Sequence, residues 1–155
     1  MTTIAYRDGV LASDSGVYDG AHDLVEGMTP KVYKWGGDIG DLWLFGAAGD
    51  ADMRELIAIL QVSGLQTTKE ELAALDTEVD GILISPQGEI WRVYYDPENE
   101  ESHIYPLHAD FFAVGSGAQV AIGAMAAGKG AEEAIVLTSQ HNTHTRLPVQ
   151  SVRLA

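Results

Sequence analysis

The order of element signals along the chain predicts an α+β fold, a layered sandwich with helices packed outside antiparallel sheets. Three observations carry this expectation: strand and hairpin signals crowd the first third, helical periodicity appears in two separate pairs, and a strand pattern closes the chain. With 155 residues, 46% of them hydrophobic, the chain is expected to form one domain over 1–155. A domain of that length buries roughly two-thirds of its extended surface and needs no disulfide or metal staple.

Thr2–Tyr6 and Val10–Ala12 are extended segments joined by Asp8-Gly9, a strong two-residue hairpin signal. From Gly16 to Pro30 the composition turns to Gly, Asp and His, which reads as a loop or a weak edge strand. Lys31–Trp35 and Leu42–Ala48 return to a strand pattern. At Met53, Leu56, Ile57 and Leu60 the apolar period becomes helical, with Gly49 or Asp50 as the start signal and Gly64 as the stop. Lys69–Leu75 forms a second, shorter helix. Between Gly81 and Tyr95 two strands flank a Pro86-Gln87-Gly88 turn. Ile82, Leu83 and Ile84 are apolar at successive positions, so that strand must be covered on both faces. Strands are expected near His103–Leu107 and Phe111–Val114, helices at about 117–127 and 131–140, and a last strand at Val149–Leu154.

Composition removes several function classes. Twenty-three acidic against nine basic residues give a formal charge of −14, which argues against a surface that tracks nucleic-acid phosphates. Zero cysteines exclude disulfides, thiol catalysis and thiolate–zinc sites. The first residues lack the basic-then-apolar pattern of a secretory signal, so a cytoplasmic location is expected. Phe111–Gly128 is uncharged over 18 residues, but Gly115, Ser116 and Gly117 break it into strand, tight turn and helix, and no membrane partner is expected. His141 and His144 lack a third ligand at metal spacing and read as a polar loop. Asp19, Asp23, Glu26 and the run Asp96–Glu101 read as solvated surface, the run as a turn. Gly115-Ser-Gly-Ala-Gln-Val120 lacks the third glycine of a dinucleotide fingerprint and no repeated βαβ pattern surrounds it. No cofactor and no metal are expected.

Chemistry concentrates at the N-terminus. Thr2 is small enough that Met1 is expected to be removed, leaving Thr2 with a free α-amino group. A threonine hydroxyl is a weak nucleophile until a base takes its proton, and an N-terminal threonine carries that base in its own amine. The amine titrates near about 7.7–8.0, and a second positive charge close by lowers that value. A neutral amine is the form that accepts the proton.

Four ordered segments extend this reading: Thr2-Thr-Ile-Ala-Tyr-Arg-Asp-Gly-Val-Leu-Ala-Ser-Asp14-Ser15, Pro30-Lys31-Val32, Gly46-Ala-Ala-Gly-Asp-Ala-Asp52 and Val114-Gly-Ser116-Gly117. Together they resemble the proteasome β-subunit family, which includes bacterial proteasome-like threonine peptidases. The resemblance implies the N-terminal nucleophile hydrolase fold, a four-layer αββα sandwich with two stacked antiparallel sheets, and hydrolysis of peptide bonds. It implies Thr2 as nucleophile, Asp14 as the acid beside the lysine, Lys31 as the lysine that tunes the amine, and Ser116 in the hydrogen-bond network around the amine. Ala48 matches a glycine whose backbone N–H is an oxyanion donor, a main-chain role that alanine keeps. The resemblance also implies a peptide or unfolded-protein substrate, a homo-oligomeric ring and an ATPase unfoldase as a partner class.

Residue physics bears on the same positions. On a strand Lys31 and Lys34 lie on opposite faces, so only one can point inward, and Lys31 beside Pro30 is the candidate. A buried ammonium needs a partner, and Asp14 is the expected one. Taken singly, Asp14 also reads as a turn residue, Lys31 as a solvated edge lysine, and Ser116 as the N-cap of a helix with Gly128 just past its end.

The pattern departs near the C-terminus. Many family members carry Asp-x-x-Ser-Gly-Gly there; here Asn142 stands at the Asp position, Thr145 at the Ser position, and Arg146-Leu147 replace the glycine pair. An amide still hydrogen-bonds but brings no negative charge. The segment between Gly64 and Gly81 is also short for the family, implying trimmed helices. These departures leave open an inactive proteasome-like structural or assembly subunit, and the same fold also admits a small-molecule amidase.

Overall fold

The computed structural model describes residues 2–18, 24–26, 30–37, 40–49, 52–142 and 144–155. Met1, Asp19, Asp23, Asp50 and Thr143 lie outside the described residues. The opening hairpin pairs β1 (Thr3–Arg7) with β2 (Val10–Ser13), and Asp8 and Gly9 both take positive φ, 50° and 78°, as a two-residue turn matched to strand twist requires. A short ribbon comes next, β3 (Val17–Tyr18) against β4 (Leu24–Glu26). Then come β5 (Val32–Trp35), β6 (Trp43–Gly49), α1 (Met53–Ser63), a 3₁₀ turn at Gly64–Gln66, and α2 (Lys69–Ala73). The second half runs β7 (Val79–Ile84), β8 (Ile90–Asp96), β9 (Glu101–Leu107), β10 (Phe111–Gly115), α3 (Ala118–Ala126), α4 (Ala131–His141) and β11 (Gln150–Arg153).

These strands form two larger antiparallel sheets, in the orders β10-β1-β2-β11 and β5-β6-β7-β8-β9. Period-two alternation decides what lies between them. Ile4, Tyr6, Leu11 and Val114 of the first sheet meet Val32, Leu44, Ile82, Ile84 and Ile90 of the second. On the opposite face of the first sheet, Ala5, Ala12 and Ala113 let α3 and α4 approach closely through Ala121, Met125, Ala134 and Ile135. On the outer face of the second sheet, Phe45, Val79, Leu83 and Val93 receive Leu56 and Leu60 of α1 and Leu72 of α2. Each such fully buried leucine stabilises by roughly 1.5–3 kcal/mol relative to exposure. The result is the expected four-layer order of helices, sheet, sheet, helices, and Ile82, Leu83 and Ile84 are all fully buried because β7 is covered on both faces.

Some boundaries differ from expectation for local reasons. Asp52, rather than Gly49 or Asp50, caps α1: its carboxylate accepts from the N–H groups of Arg54 at 2.9 Å and Glu55 at 3.5 Å. The second helix stops at Ala73 instead of Leu75, and its start is a capping box between Thr68 and Glu71. Ser116 does not cap α3; Gly117 holds that position with no side-chain cap, and the Ser116 N–H donates to the Thr2 carbonyl. Gly128 does end α3 at positive φ, with Gly128 N–H to Met125 O and Lys129 N–H to Ala124 O. Pro97–Glu100 form the turn between β8 and β9, and Glu98–Glu101 are exposed. Among the described residues, no helix is long and apolar enough to cross a membrane.

Candidate active site

One end of the sandwich gathers the start of β1, the end of β2, the start of β5, the β10–α3 turn and the exit of α4. Thr2 is half-buried there, and its carbonyl accepts from the Ser116 N–H at 2.9 Å. Thr3 is fully buried. Its N–H donates to Asp14 Oδ1 at 3.0 Å, its Oγ1 accepts from the Gly117 N–H at 3.0 Å, and it shares a 3.1 Å hydroxyl bond with Thr145.

Asp14 is the hub. Its side chain is fully buried, and Oδ1 also takes Lys31 Nζ at 3.1 Å while Oδ2 takes the N–H groups of Gly16 at 3.3 Å and Arg146 at 3.2 Å. Four donors therefore converge on one carboxylate, which offers about four lone-pair directions. Lys31 is 6% exposed whereas Lys34 is exposed, so the inward lysine is the expected one. Burial pushes the Lys31 ammonium below the ordinary lysine range, and the charge and hydrogen bond of Asp14 oppose that shift.

The Gly115-Ser116-Gly117 turn is shaped for this convergence. Gly115 has φ +98°, and a Cβ there would lie 1.8 Å from the Thr2 carbonyl oxygen; a Cβ on Gly117 would lie 2.2 Å from Thr138 Cγ2 and 2.6 Å from Thr3 Oγ1. Only glycine lets the turn, β1 and α4 meet this closely. Ser116 itself is exposed; its backbone carbonyl accepts from Asn142 Nδ2 at 3.1 Å. Asn142 ends α4, accepts the His144 N–H at 2.9 Å, and its own carbonyl takes the Thr145 N–H at 3.2 Å. Beside them lies a cavity of about 500 Å³ lined by Ser139, Asn142, Thr145, Arg146 and Leu147.

Ala48 lies on β6, where Leu44 and Gly46 belong to the face between the sheets, so alternation puts Ala48 on that face too. β5 pairs with β6 only as far as Gly46, whereas β7 pairs with it to Gly49. Beyond Gly46 one edge of β6 is therefore unpaired by any strand among the described residues.

The structure brings Thr2, Asp14, Lys31, Ser116, Asn142 and Thr145 to one end and places Ala48 on the facing sheet. Residues missed by sequence reasoning are Thr3, Ser15 and Gln150. Thr3 hid behind its neighbour in the Thr-Thr pair. Gln150 accepts the Lys31 N–H at 3.1 Å and donates to Ser15 Oγ at 2.8 Å. Its signal was available: it shares the inward register of Val152, an odd place for an amide. His141 ends α4 and His144 sits in the turn after it, and among the described residues no group of three His, Cys, Asp or Glu could hold a metal ion.

No protein-family model and no curated protein matches the sequence. Solved structures do match. Eukaryotic HslV from Trypanosoma brucei is 17% identical with a TM-score of 0.67 over 99% of both chains. BPH from Thiobacillus denitrificans, solved in complex with epoxomicin, is 19% identical with a TM-score of 0.57 over 99% of this chain and 98% of its own. The Anbu complex from Pseudomonas aeruginosa, a helical assembly, is 13% identical with a TM-score of 0.61 over 99% of this chain and 80% of its own. The likeness is one of fold: two stacked antiparallel sheets between helices, the proteasome-type N-terminal nucleophile sandwich.

Proposed function

We propose, on this proteasome-type fold, that the chain is a threonine peptidase whose nucleophile is Thr2, freed by removal of Met1. The observation that carries the proposal is the buried Asp14–Lys31 pair, whose carboxylate also accepts the N–H of Thr3. That arrangement ties a cation to the residue adjoining Thr2. A nearby ammonium lowers the α-amine's affinity for protons, so more of it is the neutral base near pH 7.

In the proposed reaction the amine takes the Thr2 hydroxyl proton as Oγ attacks the peptide carbonyl. The C–N bond breaks, the proton passes to the leaving amine, and water then releases the acyl group from Thr2. The Ala48 N–H is assigned to the oxyanion, and the unpaired edge of β6 beyond Gly46 suits an extended substrate added as a strand. Ser116, Asn142 and Thr145 are assigned to support of the N-terminus. Self-association into a ring, with an unfolded protein as substrate and an ATPase unfoldase as partner, belongs to the same proposal, as does the reading of residues 1–155 as a single domain.

Intact-mass measurement before and after epoxomicin tests the chemistry. The expected result is a chain beginning at Thr2 that gains one adduct on Thr2, with no adduct in Thr2→Ala. Retention of Met1, or no adduct at any concentration, overturns it. Asn142 favours one alternative, a structural subunit, because the position is uncharged; assembly without any adduct would identify that case.

A further inference from the structure

We propose that Gln150 is a positioning residue for Lys31, fixing across two sheets the distance at which the ammonium meets Asp14. The inference rests on the peptidase reading for its catalytic consequence, but its geometry stands by itself. Asp14 extends from β2 in one sheet, and Lys31 precedes β5 at the edge of the other. An ion pair between separate layers needs something to set its length. Gln150 touches both ends. Its backbone lies opposite Ser13, the residue before Asp14, in the β11–β2 pairing. Its side-chain Oε1 accepts the Lys31 backbone N–H at 3.1 Å, and its Nε2 donates to Ser15 Oγ at 2.8 Å.

The amide is needed in this orientation, because a backbone N–H can only donate. Ser15 is fully buried and passes its own hydroxyl proton to the Pro148 carbonyl at 2.6 Å, so its lone pairs are free to receive Nε2. The Ser15 N–H is held by the Arg146 carbonyl at 2.8 Å. Gln150 thus bolts the Asp14–Ser15 turn to the residue just before the opposite sheet's edge strand. A displacement of about 1 Å at a reacting centre costs roughly 100-fold in rate. Gln150 acts on that displacement through Lys31, without touching substrate.

The test compares wild type with Gln150→Met, which keeps shape and loses the bonds to Lys31 and Ser15, and Gln150→Asn, which keeps the amide one methylene short. Epoxomicin labelling of Thr2 is measured against pH, and the four lysines are titrated by NMR in 13C-lysine-labelled protein. With Lys31 displaced, the α-amine no longer feels a close positive charge and holds its proton to higher pH. The expected result in both variants is labelling at pH 7 slowed by about 10- to 100-fold, an acidic limb moved to higher pH, and a Lys31 titration moved toward the ordinary lysine range. Variants that melt earlier but show the wild-type limb and the wild-type Lys31 titration overturn the proposal, since Gln150 would then only stabilise. Should wild type itself fail to react with epoxomicin, the peptidase reading falls while the Lys31 titration still decides the positioning.

Discussion

Replacing Lys31 with methionine removes the ammonium while keeping most of the stem, and the donors left around Asp14 set the cost. Breaking a buried pair by deleting one partner usually costs about 3–5 kcal/mol, because the other charge is left uncompensated. Asp14 is fully buried, but three N–H donors remain on it, from Thr3, Gly16 and Arg146. That residual support puts Lys31→Met near the lower end, about 3 kcal/mol. For a chain of this length each kcal/mol lowers Tm by roughly 2–4 °C, so a fall of about 6–12 °C is expected. A folded protein remains, since stabilities run to about 5–15 kcal/mol. Asp14→Asn should be worse. An amide offers one acceptor oxygen, so whichever way it turns, its NH₂ faces two of the four donors, and each orphaned buried donor costs about 1–3 kcal/mol. Thermal melts and epoxomicin labelling of both single variants and the double variant complete a cycle. Both single variants should lose labelling, and the double should be more stable than the sum of the two losses, because they share one interaction. A Lys31→Met protein that melts with wild type, or labels at the wild-type rate, refutes the reasoning.

The same geometry predicts three other outcomes. Gly117→Ala forces a methyl into Thr138 Cγ2 and Thr3 Oγ1 and should destabilise by about 1–3 kcal/mol or more; adding Thr138→Ser, which deletes the clashing methyl, should recover part of the loss in a urea melt. Asp52→Ala removes the α1 cap and should cost about 1 kcal/mol with secondary structure intact by circular dichroism. Lys31 binds its proton less tightly when folded than when unfolded, so below its lowered folded value its contribution is constant. As pH rises from that value toward the ordinary lysine range, the unfolded state holds more protons and stability rises. The stability difference between wild type and Lys31→Met, from urea melts at stepped alkaline pH, should therefore grow in favour of wild type across that window.

The layered fold was legible because its pattern is local. The unbroken Ile82–Ile84 run and the Asp8-Gly9 turn name a strand covered on both faces and a corner without reference to distant residues. Boundaries were less so, since the α1 start depends on which of several acidic residues reaches two N–H groups, a matter of backbone angle. In the site, Asp14 and Lys31 were legible through the cost of an unpaired buried charge. Thr3 was not, because its partners Thr145 and Gly117 lie more than a hundred residues away; the inward register of Gln150 was legible, but its partner Lys31, equally distant, was not.

The departures at the C-terminal motif are judged differently once main-chain and side-chain duties are separated. Arg146 looked like a loss, yet its backbone makes two bonds in the site: the N–H goes to Asp14 and the carbonyl takes the Ser15 N–H. Any residue able to adopt that backbone conformation supplies both bonds, so replacement of a glycine there removes no donor or acceptor. Thr145 keeps a hydroxyl on Thr3, as a serine would. Asn142 is the real change, because its side chain holds the Ser116 carbonyl through an N–H donor that a carboxylate lacks. A carboxylate at residue 142 would repel that carbonyl and take one bond from the turn, which the Ser116 and Gly117 N–H groups still anchor to Thr2 and Thr3. The uncharged amide is thus matched to this chain's own β10–α3 turn, while the buried ion pair beside it is that of Asp14 with Lys31.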